Sequence, residues 1–322
     1  MNENTPPAEA LSRRNFLALT GAIPAVIAAQ SLTGSAFAAA LTPASMAGGT
    51  TGKKYPIGLE MYSVRNAGMK DMPNTLREVA KIGYEAVEFY APYYDWTVPQ
   101  AKEIRTLLDD LGLRCYSTHN HLPFFTPDDT IGKTIELNQI LGCKILVLAT
   151  APNNTNGVAG WTKLCGQLTS TVELLKPHGL SLGFHNHNTE WAQLAPGQRI
   201  MDFLAANTPK EFVLQLDVGT CVAAGADPVA WIKANPGRIR VVHLKDWAPG
   251  GIPANGAGVG GNDKGYRALF GEGVSPWKEI FAAAESVGGL EYYLMEQEGS
   301  RYSEFETAQR CFDTWKTMRA TT

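Results

Sequence analysis

The sequence predicts an α/β fold, a single (β/α)8 TIM barrel, and three observations carry that expectation. Short β-rich runs alternate with longer helical stretches from Pro56 onward, eight such runs are found, and their successive starts fall mostly about 27 to 36 residues apart, close to one strand–helix unit. Eight units of this size close into a ring more readily than they spread into an open doubly wound sheet, which is the alternative architecture. Barrels of this kind commonly use about 250 residues as one unit, so a chain of 322 residues is not forced to divide.

The strands are expected at Ile57–Ser63, Ala86–Tyr90, Arg114–Thr118, Ile145–Thr150, Ser181–His185, Val213–Val218, Arg240–Lys245 and Tyr292–Gln297. Between them, helix openings are marked by Asp71-Met72-Pro73, Val98-Pro99, Thr126-Pro127-Asp128-Asp129 and Asp227-Pro228. Apolar residues at three- and four-residue spacing, as in Thr134–Leu141 and Trp277–Ala284, put one oily stripe on each helix. Gly83, Gly112, Gly142 and Gly179 stand where helices should end. The one long interval, before the last strand, holds the Gly-rich insertion Pro249–Gly265. Its Gly256-Ala257-Gly258-Val259-Gly260-Gly261 matches G-x-G-x-x-G, but no helix follows, so a loop at the barrel mouth, lid or slack, is expected rather than a dinucleotide site.

Outside this pattern, Ser12-Arg13-Arg14-Asn15-Phe16-Leu17, an apolar stretch from Leu19 to about Ala29 and Ala36-Phe37-Ala38 resemble a twin-arginine export signal with an A-x-A cleavage site. The resemblance implies an exported, periplasmic protein, carried across the membrane folded and often with cofactor in place. The division expected is therefore residues 1–40 as signal and linker start, 41–54 as linker, and 55–322 as barrel. The apolar run is too short to span a bilayer comfortably, so no stable membrane insertion is expected. A net charge of −3 and a pI near 6.1 leave no basic excess for a phosphate backbone, which argues against a nucleic-acid partner. The five cysteines are scattered without a C-x-x-C pair and read as small buried hydrophobes, with a disulfide the alternative.

Chemistry in a barrel gathers at the C-terminal strand ends. The last four strands finish as Phe184-His185-Asn186-His187, Gln215-Leu216-Asp217, Val242-His243-Leu244-Lys245 and Leu294-Met295-Glu296-Gln297-Glu298. His185, Asp217, His243 and Glu296 would form a mixed nitrogen and oxygen set suited to a divalent ion, Mn²⁺ first, with Mg²⁺, Co²⁺ or Zn²⁺ as alternatives. Singly, each has a plainer reading: a hydrogen-bonded filler for a histidine, a buried arginine pair for a carboxylate.

Gly183-Phe184-His185-Asn186-His187, His243-Leu244-Lys245-Asp246, Gly271-Glu272-Gly273-Val274-Ser275-Pro276-Trp277 and Met295-Glu296-Gln297-Glu298, with the early Gly58-Leu59-Glu60-Met61-Tyr62-Ser63-Val64-Arg65, resemble the sugar phosphate isomerase/epimerase family. The resemblance covers about residues 55 to 300 and implies a xylose isomerase-like barrel, with its metal set on His185, Asp217, His243 and Glu296. The family holds ketose epimerases, hydroxypyruvate isomerase, inosose dehydratase and lyases on 3-keto-glycosides, so it does not fix the reaction. Many of its epimerases carry Glu where this chain has His185. Only Glu296 of the opposed pair of bases remains, which puts symmetrical two-base epimerisation in doubt.

The expected activity is metal-dependent isomerisation or epimerisation by proton abstraction next to a carbonyl, on a free sugar or keto-sugar, since no phosphate-cradling loop is visible. A lyase or hydratase acting on keto-glycosides is the first alternative, and a non-catalytic sugar-binding barrel the second. Beside Glu296, His187 is a candidate base or substrate ligand, or packing filler, and Lys245 a proton donor, or an ion pair with Asp246 or another carboxylate. Glu60, Glu88, His119, His121 and Trp247 are candidate substrate contacts, each with a local structural alternative. Tyr93, Tyr94, Trp96, Phe124 and Phe125 sit where aromatic faces would meet a sugar ring or merely pack. The sequence fixes no oligomeric state.

Overall fold

The run Ile145-Leu146-Val147-Leu148 contains no polar side chain and is buried along its whole length, as a parallel strand covered on both faces must be. Its alternate residues go to different places. Ile145 and Val147 join Val213, Val241, Tyr292 and Leu294 in a small apolar cluster, with Tyr116 packed against it, whereas Leu146 and Leu148 join the large core shared with the helices. Period-two alternation thus separates the barrel's filling from its outer layer.

This architecture is a computed structural model that describes residues 54–251 and 264–320. Eight parallel strands close into a ring: β1 (Ile57–Glu60), β2 (Ala86–Phe89), β3 (Arg114–Asn120), β4 (Ile145–Leu148), β5 (Ser181–His185), β6 (Val213–Asp217), β7 (Val241–Leu244) and β8 (Tyr292–Met295). Each pairs with its sequence neighbours, and β1 pairs with β8 through Ile57–Tyr293, Gly58–Leu294 and Leu59–Met295. A short antiparallel hairpin, Gln193–Ala195 with Gln198–Arg199, is the only other sheet among the described residues. The expected export signal, the linker through residue 53 and residues 252–263 of the Gly-rich insertion lie outside the described residues. No helix among the described residues is long and apolar enough to cross a membrane.

Helix boundaries follow from the expected caps. Asp71 accepts a hydrogen bond from Asn74 N at 2.9 Å and opens Met72–Ile82, Thr97 and Gln100 form a reciprocal capping box on Val98–Asp110, and Asp128 accepts from Thr130 N at 2.7 Å. Each such cap contributes about 1 kcal/mol. Gly83, Gly112, Gly142 and Gly179 all have positive φ, the backbone a helix adopts as it turns into the next strand. The helix Asp129–Leu141 buries Ile131, Ile135, Leu137 and Leu141 against the sheet, at roughly 1.5 to 3 kcal/mol for each large apolar side chain. All five cysteines are buried and free, as small hydrophobes.

The strands correspond to the expected ones with shifted ends. The first stops at Glu60 rather than Ser63, because the Glu60 carboxylate accepts Tyr62 N at 2.7 Å and caps a 3-10 turn, Met61–Val64. The third runs two residues further, to Asn120, and a register shift between Val87 and Glu88 marks its pairing with β2.

Candidate active site

The alternation that fills the barrel with Val213, Val241 and Tyr292 continues upward into polar residues. Two and four positions after Val213 come Gln215 and Asp217, after Val241 come His243 and Lys245, and after Tyr292 and Leu294 comes Glu296. Strand register brings these together across the ring: His185 is level with Gln215, Asp217 with His243, and Glu60 with Glu88. The barrel interior is therefore apolar at its base and crowded with ionisable groups at its mouth, where Glu60, Glu88, His119, His185, Asp217, His243, Lys245 and Glu296 are all buried.

His185, Asp217 and Glu296 present ligand atoms within 4.8 Å of one another. Gln215 Oε1 accepts from His185 Nδ1 at 2.9 Å and from His119 Nε2 at 2.7 Å, while Gln215 Nε2 donates to Glu88 Oε1 at 2.9 Å. With its proton held at Nδ1, His185 turns the Nε2 lone pair toward Asp217 Oδ2 at 3.8 Å and Glu296 Oε2 at 3.9 Å. Burial, with His243 and His119 nearby, holds the His185 pKa well below the ordinary value, so the ring itself brings no second proton to this meeting, while burial raises the pKa of Asp217. Asp217 Oδ1 caps the following helix through Thr220 N at 2.8 Å, and Oδ2 has no hydrogen-bond partner. A buried lone pair facing two carboxylate oxygens, one of them without a hydrogen bond, fits a divalent cation bound by His185, Asp217 and Glu296.

His243 is placed differently from the other three expected ligands. Its Nδ1 lies 2.6 Å from Glu296 Oε2, and its Nε2 lies 3.0 Å from Glu88 Oε2 without an aligned hydrogen bond. Burial opposes charge on the ring, but Glu88 and Glu296 outweigh it and push the pKa to about 10. Both nitrogens thus face carboxylates, and one must lose its proton before His243 can ligate.

Lys245 is fully buried behind Glu296. Its ammonium donates to Glu298 and to Glu296 Oε1 at 3.3 Å, and lies 3.5 Å from Asp217 Oδ2. Burial would lower its pKa, but Glu296, Asp217 and Glu298 raise it well above the ordinary value. The same cation, with His243, overcomes burial to hold Glu296 well below the usual carboxylate range. Asp246, the other partner considered for Lys245, is used elsewhere: its carboxylate accepts from the backbone N of Trp247, Gly271, Gly273 and Ser275, from Ser275 Oγ and from Trp277 Nε1. Gly273 is required there, since a Cβ would fall 2.1 Å from Asp246 Oδ1.

Above the cluster opens a cavity of about 430 Å³. Glu60, Glu296 and Glu298 line it with Tyr62 and Tyr90, whose rings meet edge to face at 5.3 Å, and His119, His121, His185 and His187 line it as well. Of the expected substrate contacts, Glu60, His119 and His121 are therefore at the cavity, as is His187, half-buried with its ring 5.0 Å from His185. Two expectations are corrected. Glu88 is fully buried below the cavity, bonded to Ser117 and Gln215, so it meets the histidines and not a sugar hydroxyl. Trp247 is not among the residues lining the cavity, and its indole packs where a Gly265 Cβ would lie 2.3 Å from Nε1.

The aromatic residues at the cavity are Tyr62 and Tyr90. Tyr93 is buried, bonding Asn120 at 2.5 Å, and Tyr94 stacks on Phe124 at 3.8 Å. Gln215 is not among the residues expected from the sequence, and its signal there is an amide in a buried strand, two residues before Asp217 and so on the same face. A larger groove, about 750 Å³, runs beside the helix Gly157–Leu175, but Lys163 is its only charged lining residue, so the ionisable groups favour the barrel mouth.

A family model described as a xylose isomerase-like TIM barrel matches residues 76–314. No curated protein matches the chain. Among solved structures, the chain is similar to a sugar phosphate isomerase/epimerase from Parabacteroides distasonis ATCC 8503, with 24% identity and a TM-score of 0.65 over 84% of this chain and 96% of that one. It is also similar to the probable 3-DHS dehydratase AsbF, involved in petrobactin synthesis, from Bacillus anthracis (16% identity, TM-score 0.61, 82% and 99% covered). A third is the IOLI protein with a bound zinc atom (16%, TM-score 0.60, 83% and 97%).

Proposed function

We propose that this chain, which belongs to the xylose isomerase-like TIM barrel family, is a divalent-metal-dependent sugar isomerase or epimerase that removes a proton next to a carbonyl of a non-phosphorylated sugar or keto-sugar. The observation that carries the reading is the His185 Nε2 lone pair aimed at Asp217 Oδ2 and Glu296 Oε2, with Nδ1 taken by Gln215. His185, Asp217 and Glu296 would hold the cation, joined by His243 once that ring gives up a proton. Mn²⁺ suits this mixed set, and Zn²⁺, which the IOLI protein binds, suits it also. When bound, the cation would supply Lewis acidity that lowers the cost of deprotonation beside a carbonyl.

The chain's own residues supply the rest. Glu296, kept ionised by Lys245 and His243, reaches the cavity and is the residue placed to accept a proton. His187 is placed to return one. Lys245 touches Glu296 and Glu298 without lining the cavity, so it acts by positioning those carboxylates. Among the described residues no lysine or arginine lines the cavity, which supports a substrate without phosphate.

A lyase or hydratase reading has its own support. His185 stands on β5, so Glu296 has no opposed carboxylate there, and a proton removed by Glu296 with departure of a neighbouring oxygen suits a keto-glycoside. The dehydratase likeness agrees with that chemistry. Incubation in D₂O with free ketoses and with a 3-keto-glucoside separates the two. Deuterium uptake without loss of the aglycone supports the isomerase or epimerase, aglycone release supports the lyase, and neither result overturns both. We further propose export through the twin-arginine pathway, supported by Arg13-Arg14 and Ala36-Phe37-Ala38. Fractionation of cells making the full chain and its Arg13→Lys/Arg14→Lys form tests this, and equal export of both would overturn it.

A further inference from the structure

Beside the cavity, at the seam where β8 meets β1, a second space of about 350 Å³ opens, and Glu298 lines both. Arg65 forms the rest of the partition between them. Its guanidinium lies 4.4 Å from the centre of the Tyr62 ring, which lines the cavity, and donates to the carbonyls of Tyr62 and Glu298, each at 2.9 Å. The wall is thus held at both ends, and the two spaces adjoin across it. Each exceeds the roughly 300 Å³ at which small-molecule sites begin.

The lining of the second space suits a neutral, hydroxylated group. Arg65 and Lys70 line it together with Glu298 and Glu304, so its charged groups balance in number. Both carboxylates are engaged, Glu304 with the backbone N of Asn66 and Ala67 at 3.1 and 3.0 Å and Glu298 with Lys245, while Lys70 is exposed to solvent. What is left unspent is uncharged. Gln297, 2% exposed, gives Nε2 to the carbonyls of Tyr266 and Gly299, each at 2.6 Å, and its Oε1 has no hydrogen-bond partner. Ser63, also buried, accepts from Gln297 N at 3.0 Å, and among the described residues its hydroxyl proton has no acceptor. Both residues line the space. An acceptor lacking a donor and a donor lacking an acceptor cost free energy that the hydroxyls of a ligand, which both donate and accept, would recover. Phe305 adds apolar surface for a carbon skeleton. We infer that this space is a subsite for a second, neutral hydroxylated ring, so that the substrate is a saccharide whose reacting ring lies in the cavity and whose neighbouring ring lies against Ser63 and Gln297. The inference rests on the reading of the cavity as a sugar site.

Calorimetric titration of the full chain loaded with Mn²⁺ compares a 3-keto-glucoside carrying a methyl aglycone with one carrying a glucosyl aglycone, so that the probes differ in the second ring. The glucosyl probe is expected to bind about 10-fold more tightly, the worth of one or two hydrogen bonds. Ala67→Trp, which places an indole in the second space from the helix Arg65–Lys70, is expected to bring the two affinities within about twofold of each other. Equal affinities in the wild-type chain, or a preference that survives Ala67→Trp, would overturn the subsite. Turnover of neither probe with the preference intact would overturn the proposed chemistry and leave the subsite standing, whereas binding of neither would overturn both. The wild-type comparison stands even where Ala67→Trp does not fold.

Discussion

The side-chain amide oxygen of Gln215 lies 2.9 Å from Nδ1 of His185 and thereby decides which imidazole nitrogen is left for binding. Through the same oxygen it fixes the ring of His119 at 2.7 Å. Gln215→Ala is expected to weaken divalent-metal affinity about 10- to 100-fold, the usual effect of removing a group that orients a ligand. Competition against a chelating dye measures this, and wild-type affinity in the variant would show that Gln215 does not govern the tautomer.

Removing a ligand is expected to do more. Asp217→Ala deletes the orphaned Oδ2 together with the cap on Thr220 N, and His243→Ala deletes a ring lying between Glu88 and Glu296. Metal content of both purified variants is expected to fall to the level of stripped wild type, with activity lost in parallel. Full occupancy of His243→Ala would reduce the ligand set to His185, Asp217 and Glu296.

The charge on His243 gives metal binding a pH dependence of definite sign. Glu88 and Glu296 overcome burial to hold this ring protonated up to about pH 10, so ligation by it must release a proton. Apparent affinity is then expected to rise with pH across the neutral range, by up to about tenfold per unit for one proton. Calorimetric titration with Mn²⁺ in buffers of different ionisation enthalpy reads the proton directly. A heat independent of buffer would mean that His243 stays charged and outside the coordination shell.

Asp246 is expected to matter for stability rather than chemistry. Asp246→Ala strands the backbone donors of Gly271, Gly273 and Ser275, which are partly exposed, and the buried Trp277 indole, and is expected to cost about 2 to 4 kcal/mol. Denaturant unfolding measures the loss. A change below about 1 kcal/mol would mean that water replaces the carboxylate at this loop.

Much of this molecule is legible in its sequence because two periodicities coincide. The apolar alternation that marks Val213, Val241 and Tyr292 as barrel filling carries directly to Asp217, His243 and Glu296, so finding the strands also finds the face. Less legible is how far up the barrel each polar group stands. Glu88 is level with Glu60 in the strand register, yet its carboxylate is taken up by Ser117 and Gln215 while Glu60 lines the cavity. Tyr62 fell within an expected strand. A carboxylate competing for one backbone N–H ended that strand early and turned the ring toward the cavity, a local contest that alternation does not encode. The role of Gln215 depends on partners 96, 30 and 127 residues away, which no local pattern shows.

The pairing of β1 with β8 closes the ring by joining Ile57 to Tyr293. Glu60 and Glu296 therefore become neighbours only after almost the whole barrel has been synthesised, and the loop joining them is among the slowest contacts a chain of this length can make. A nascent or truncated chain lacking β8 has neither Glu296 nor the seam that brings it to Glu60, so a cation held as proposed would distinguish finished molecules from partly made ones.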